Sequence, residues 1–212
     1  DRVEISEGDV RLAVDLREGQ KTGLFLDQRE NHMMARSYAS GRVLDAFTYN
    51  GGFALQVAGV AESVLAVDLS ADALARVSRN AARNGLANVS VREANVFDLL
   101  RELFEAGERF DTVILDPPAF AKSKGAVEKA ARGYKEINLR ALRLLSPGGR
   151  LATFSCSHHV DEGVFERTVR EAADDAGVRL RVLERLGQAA DHPVLLTVPE
   201  TRYLKGLLLQ AL

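Results

Sequence analysis

Arg42-Val43-Leu44-Asp45-Ala46-Phe47-Thr48-Tyr49-Asn50-Gly51-Gly52-Phe53 is the stretch whose reading decides the fold. Its apolar opening predicts a buried strand, Asp45 and the paired glycines a sharp turn, and Phe53 onward a helix. A parallel sheet puts such a turn at its carboxyl edge, where a nucleotide-like ligand lies across the strand ends. The glycines let the backbone come close to that ligand, and a helix beginning near Gly52 aims its free N–H groups at it. The spacing is not G-x-G-x-x-G, so a bound pyrophosphate is not implied. Taken alone, the turn also fits a plain strand-to-helix connection.

Outward from this stretch, strand and helix patterns alternate, as in a doubly wound sheet. Strands are expected at Arg42 to Phe47, Val64 to Asp68, Val89 to Val91, Phe110 to Leu115, Arg150 to Ser155, Val178 to Leu186 and Tyr203 to Leu209. Helices are expected at Phe53 to Ala58, Ala71 to Asn84, Val96 to Glu105, Glu128 to Leu145 and Asp161 to Asp175. Before them, Asp1 to Leu16 alternates around Glu7-Gly8-Asp9 and reads as a β-hairpin, and Lys21 to Leu26 reads as extended. A helix then begins at Asp27, with Glu30 at capping-box spacing, and runs to about Ala39. The expected organisation is a hairpin extension and connecting segment over 1–30, followed by one Rossmann-like, mostly parallel α/β domain over 31–212.

Composition narrows the function. With 212 residues, 46% hydrophobic and 27% charged, the chain has the balance of a globular protein with one substantial core. No apolar run approaches the ~18 residues of a membrane span, so no membrane partner is expected. The chain opens on Asp1 rather than Met, as a processed chain or a piece of a longer one would. The single cysteine, Cys156, allows no internal disulfide and no cysteine-built zinc site, which points to a reducing, cytoplasmic setting. A net charge of −2 gives no global attraction to nucleic acid, so an RNA substrate requires a local basic patch or a further domain. The oligomeric state, homodimer included, is left open.

Several residues fall at the same sheet edge. Asp68 ends the second core strand roughly 20 residues after Asp45, the interval at which a carboxylate meets ribose hydroxyls in such folds. Ser70 is placed to cap the next helix. Asn95, after the third strand, has an amide that can read an adenine edge or simply make a turn. In Asp116-Pro117-Pro118-Ala119-Phe120, two prolines stiffen the loop and Phe120 offers a flat apolar face, so a planar base can be held while Asp116 reads its polar edge. Cys156 ends the fifth strand between Ser155 and Ser157 and ahead of His158 and His159, a setting that favours a thiolate nucleophile over an inert buried thiol. Two adjacent histidines without a third group do not make a metal site, and none is expected.

These residues give the chain its likeness to a family. It resembles the class I S-adenosylmethionine-dependent methyltransferases, and more closely the RlmI-type large-subunit ribosomal RNA cytosine-5 methyltransferases. The motifs that carry the resemblance run from Thr22-Gly23-Leu24-Phe25-Leu26-Asp27-Gln28-Arg29 and Phe47 to Phe53, through Asp116 to Phe120, Arg132-Gly133-Tyr134-Lys135-Glu136-Ile137-Asn138 and Phe154 to Ser157, to Ala190-Asp191-His192-Pro193 and Tyr203-Leu204-Lys205-Gly206. The resemblance implies S-adenosylmethionine as cofactor, held by Asp45, Phe47, Thr48, Tyr49, Asn50, Gly51, Phe53, Asp68, Leu69, Ser70 and Asn95. Gln28 and Arg29 line its methionine end or the base pocket. It also implies a ribosomal RNA substrate and an RNA-binding PUA domain ahead of the catalytic part. Cys156 is the implied nucleophile, Asp116 the group bonding the base, and Pro117, Pro118 and Phe120 the base loop. His158, His159 or water would take the carbon-5 proton. The chain departs from the family at Ala94-Asn95, where an acidic pair is common, and from a related branch at Ala119, where a second cysteine stands. Two other readings remain: methylation of an exocyclic adenine or guanine amine, and a non-catalytic RNA-binding or assembly module.

Overall fold

The computed structural model describes residues 2–15, 23–121 and 123–212. The N-terminal alternation forms an antiparallel hairpin of β1 (Arg2–Glu7) and β2 (Val10–Asp15), closed through Gly8 at φ 56°. Asp1, Leu16, Lys21 and Thr22, at the ends of the expected hairpin and extended segment, lie outside the described residues. A single 3-10 turn over Leu26–Gln28 then leads into α1 (Arg29–Tyr38).

The expected capping box does not form. No side chain caps α1; the Asp27 carboxylate accepts the Tyr203 hydroxyl at 2.7 Å, and Glu30 accepts the Ala190 backbone N–H at 3.2 Å. Partners from the far end of the chain have displaced the local ones.

The remaining elements are β3 (Arg42–Ala46), α2 (Gly52–Ala58), β4 (Ser63–Asp68), α3 (Ala71–Arg83), β5 (Val89–Glu93), α4 (Val96–Glu105), β6 (Phe110–Leu115), α5 (Val127–Arg143), β7 (Leu145–Ser155), α6 (Glu162–Ala176), β8 (Leu180–Leu186) and β9 (Lys205–Ala211). Ser70, Asn95 and Asp161 each cap a helix by accepting a backbone N–H from its first turn. The seven-stranded sheet runs β5-β4-β3-β6-β7-β9-β8; the first five strands are parallel, and β9 is antiparallel to both neighbours. The order reverses between β3 and β6, and ligands of open α/β sheets bind at that point. β7 starts earlier than its turn-forming Ser146-Pro147-Gly148-Gly149 suggests. Phe110 pairs with Leu145 and Thr112 with Arg150, so 146–149 bulge from the ladder.

Successive side chains of each strand point to opposite faces, and each face carries its own core. Leu44, Val113 and Leu151 meet α4, α5 and α6 through Leu100, Ile137 and Phe165. Val43, Ile114 and Ala152 share the other core with Leu55, Val77 and the hairpin residues Val10, Leu12 and Val14. The hairpin is further tied to α3 by Asn80 and Asn84, whose side-chain oxygens accept from Ala13 N and Arg11 N.

On β9, Gly206 has no room for a side chain: a Cβ there would lie 2.5 Å from the Phe154 ring and 2.9 Å from Leu186 Cβ. Gly206→Ala is therefore expected to cost about 1–3 kcal/mol by overpacking, measured as a lowered urea midpoint.

Candidate active site

The turn between β3 and α2 is built on one carboxylate. Asp45 Oδ2 accepts the Thr48 hydroxyl at 2.6 Å and the Ala54 backbone N–H at 2.9 Å, locking strand end, turn and helix start together. Thr48 N donates to Val67 O at 2.9 Å and Tyr49 N to Asp68 Oδ2 at 2.9 Å, which fastens the turn to the end of β4. Under these restraints Phe47 and Tyr49 take φ of 66° and 49°, left-handed values that aromatic side chains rarely adopt. Gly51, at φ 83°, opens α2, and Gly52 lies so close to His32 that a Cβ would stand 2.5 Å from the imidazole.

Above the turn opens a cavity of about 730 Å³, across the carboxyl ends of β3, β4, β6 and β7. Of the sequence-predicted residues, Gln28, Phe47, Thr48, Tyr49, Asn50, Phe53, Asp68, Leu69, Ser70, Asn95, Asp116, Pro117, Pro118, Phe120 and Cys156 line it. Three do not. Asp45 is fully buried beneath the turn. Gly51 faces inward, where a Cβ would meet Val77 at 3.1 Å. Arg29 sits one helical step past Gln28, and its guanidinium pairs with Asp191 at 2.9 Å instead. His158 and His159 also stay outside the lining.

Several lining groups are already engaged. Asp68 accepts Tyr49 N on one oxygen and Ser70 N on the other at 2.9 Å, each oxygen keeping a lone pair for hydroxyl donors. Asn95 Oδ1 accepts Phe97 N at 2.9 Å as the cap of α4, so its carbonyl belongs to the helix. Asn50 donates to Gly23 O and accepts Arg76 Nε at 2.6 Å. The Phe120 ring packs against Tyr134 at 4.6 Å, which braces the Asp116–Phe120 loop. Asp116 N reaches Ala46 O at 3.4 Å, and Cys156 Sγ lies 3.8 Å from Pro117 O, so the loop and the thiol meet across the cavity. The hydroxyls flanking Cys156 turn into the scaffold: Ser157 Oγ bonds the Tyr134 hydroxyl at 2.8 Å and Ala121 N at 3.1 Å, and Ser155 Oγ accepts Ser157 N at 3.3 Å.

Other lining residues carry no motif of their own. Arg76 follows Asp72 by one turn of α3, and His32 follows Gln28 by one turn of α1, so helical spacing was the available signal. His32 is set by Glu7 at the tip of the hairpin, Nδ1 to Oε1 at 2.7 Å, with both side chains buried. Its ring meets Phe53 edge-on at 4.4 Å. Among the described residues no helix is long and apolar enough to cross a membrane, and no three His, Cys, Asp or Glu side chains group as metal ligands.

A family profile described as S-adenosylmethionine-dependent methyltransferase matches residues 1–210. The chain is 47% identical over 213 residues to the ribosomal RNA large subunit methyltransferase I of Aeromonas salmonicida, covering 99% of this chain and 54% of that one. It is 46% identical to the protein of the same name from Tolumonas auensis, covering 100% of this chain and 55% of the relative. The chain thus spans about half the length of the curated relatives it matches. In solved structures the fold is matched by SMU.776, a methyltransferase complexed with SAH, at TM-score 0.87 and 24% identity over 99% of this chain and 56% of that one. Pyrococcus abyssi Trm5b matches at TM-score 0.73 and 19% identity, over 99% of this chain and 56% of that one. At these identities the structural likeness is one of fold.

Burial pushes the Asp45 carboxyl up to about 7, although the Thr48 and Ala54 hydrogen bonds pull it down; the charge of Asp68 adds to the rise. An unfolded Asp titrates near ~3.9, so between pH ~4 and ~7 the unfolded chain releases a proton that the folded one keeps. The contribution of Asp45 to stability is therefore full below about pH 4 and declines as pH rises to about 7. Asp45→Asn is expected to flatten this part of the curve of urea midpoint against pH, relative to wild type.

Proposed function

The chain belongs to the S-adenosylmethionine-dependent methyltransferases, and on that premise we propose that it methylates carbon 5 of a cytosine in large-subunit ribosomal RNA through a covalent adduct with Cys156. The substrate class comes from the names its relatives carry. The observation that carries the chemistry is the meeting of Cys156 Sγ with the Asp116-Pro117-Pro118 loop over one cavity.

The residues present suit the cofactor. A volume of about 730 Å³ is that of a small-molecule site, and the close approach of Gly52 to His32 leaves bare backbone where a side chain would intrude. Asp68, with Leu69 and Ser70, would take the ribose hydroxyls, and Val96 and Phe97 offer apolar faces for a base. Asn50, Arg76 and His32 would hold the charged amino-acid end. Asp45 and Gly51 act beneath the site by fixing the turn, and Arg29 acts away from it. Bound S-adenosylmethionine supplies an electrophilic methyl group to a nucleophilic carbon.

Carbon 5 of cytosine is a weak nucleophile, and the protein's task is to make it a strong one. The Cys156 thiolate adds to carbon 6; an S–C bond forms as the 5,6 double bond opens, and electron density moves to carbon 5. Asp116 hydrogen-bonds the N3 or N4 edge and steadies the charge that the ring acquires. Once carbon 5 carries the methyl group, loss of its proton restores the double bond and expels the thiolate. Pro117 and Pro118 keep the loop from moving during these steps, and Phe120, braced by Tyr134, closes its apolar side. The base must reach the cavity unpaired, either from a single-stranded segment or flipped from a helix.

Cys156→Ala is expected to lower methyl transfer to ribosomal RNA at least about a hundredfold, read as 5-methylcytidine by nucleoside mass analysis. Cofactor affinity by calorimetry should hold within about 0.5 kcal/mol, because the thiol belongs to the substrate side. Near-normal turnover of this variant, with N-methylated adenine or guanine as product, would instead support an exocyclic-amine methyltransferase. Asp68→Ala is expected to weaken S-adenosylmethionine about tenfold, the loss of one or two hydrogen bonds to a carboxylate, in the same calorimetric measurement.

A further inference from the structure

Lys205 opens β9, paired with Ser155 across the antiparallel ladder, one residue before Cys156. It is buried at 4% exposure. Its ammonium donates to Ser157 O at 2.7 Å and to Tyr203 O at 2.8 Å. Ser157 adjoins Cys156 in the chain, and Tyr203 packs in the same apolar cluster as the thiol. Ammonium has three donors, and two carbonyls take two of them. No carboxylate among the described residues lies in ion-pair contact with it. A buried cation satisfied only by carbonyls is costly to keep, so the fold retains it against the preference of its surroundings.

We propose that Lys205 is a positioning residue that holds Cys156 in its thiolate form, supplying a positive field beside a thiol whose flanking serine hydroxyls turn into the scaffold. This rests on the reading of Cys156 as nucleophile. A cationic neighbour lowers a thiol's pKa, and Lys205 is a cation built into the strand beside it. The two groups act on each other: burial pushes Lys205 down to about 8, while the charge of Cys156 draws it back up. Asp161 and Glu162, at the start of α6, also favour the ammonium, and Arg202 opposes it. On the sulfur side stand Asp116 across the cavity, Tyr134 and Tyr203. Burial pushes both tyrosine hydroxyls up, so they stay neutral; that of Tyr203 is also held by Asp27. The ammonium field thus acts through neutral pH and fades above about 8.

Because Cys156 is the only cysteine, alkylation reports on it alone. The 212-residue chain would be treated with iodoacetamide from pH 5 to 10, the thiolate displacing iodide, and the rate followed by intact mass. The wild-type midpoint is expected below the ~8.5 of an ordinary thiol. Lys205→Met should raise it by about one pH unit or more, and Lys205→Arg should bring it back toward wild type. A merely structural lysine would not move this profile in a variant that keeps its circular dichroism and cofactor binding. A wild-type midpoint at or above ~8.5 overturns the proposal without any variant, and so does an unchanged midpoint in folded Lys205→Met. If Cys156→Ala still methylates while the thiol midpoint is low and depends on Lys205, the cytosine-5 reading fails and the Lys205–Cys156 coupling stands.

Discussion

A carboxylate shut away from solvent at the end of β3 gathers the strand end, the turn and the first helical N–H groups around a single oxygen, through Thr48 and Ala54. Burial disfavours the charged form and raises the carboxyl to about 7, while its two hydrogen bonds hold the turn under the cavity. Thr48 and Tyr49 carry the constraint sideways into β4 through Val67 O and Asp68. Asp68 then faces the cavity with its position set from two directions. The floor of the site is thus determined before any ligand arrives, the condition under which binding loses least to ordering.

The proposed chemistry depends on a second juxtaposition, at the point where the sheet reverses its order. β3 and β6 are neighbours, and the loop after β6 is pinned to β3 by Asp116 N on Ala46 O. β7 lies beside β6 and delivers Cys156 to the same loop. The antiparallel addition of β9 then brings Lys205 alongside Ser155. A fully parallel sheet would have no strand entering from that direction, so the C-terminal part of the chain contributes to the cavity's far wall as well as to the core.

Much of this was legible in the sequence. All seven strands of the main sheet, the cap Ser70 and the crevice-lining loops follow from period, turn residues and local hydrogen-bonding rules, all short-range signals. What failed was local logic overruled from a distance. Asp27 and Glu30 have the spacing of a cap, but Tyr203 and Ala190 occupy them. Arg29 looks like part of a binding motif, but a helix turns neighbours about 100° apart, so Gln28 faces the cavity and Arg29 meets Asp191. Ser155 and Ser157 read as activators of the thiol and serve instead to anchor the strand end. His32 and Arg76 carry no motif and show only as one-turn neighbours of Gln28 and Asp72, while Lys205 stands in a recognisable motif whose sequence does not tell that β9 sets it beside Ser155.

Phe47 and Tyr49 sit in backbone conformations that suit glycine better than an aromatic residue. A chain selected only for folding would drift toward smaller residues at both places. The cavity is lined by two aromatic rings presented from a strained turn, so its shape is kept at a cost in stability. Engineering toward thermal robustness would find its easiest gains at these positions and lose the site with them. The turn therefore matters to the cavity through its shape, whatever chemistry its side chains perform.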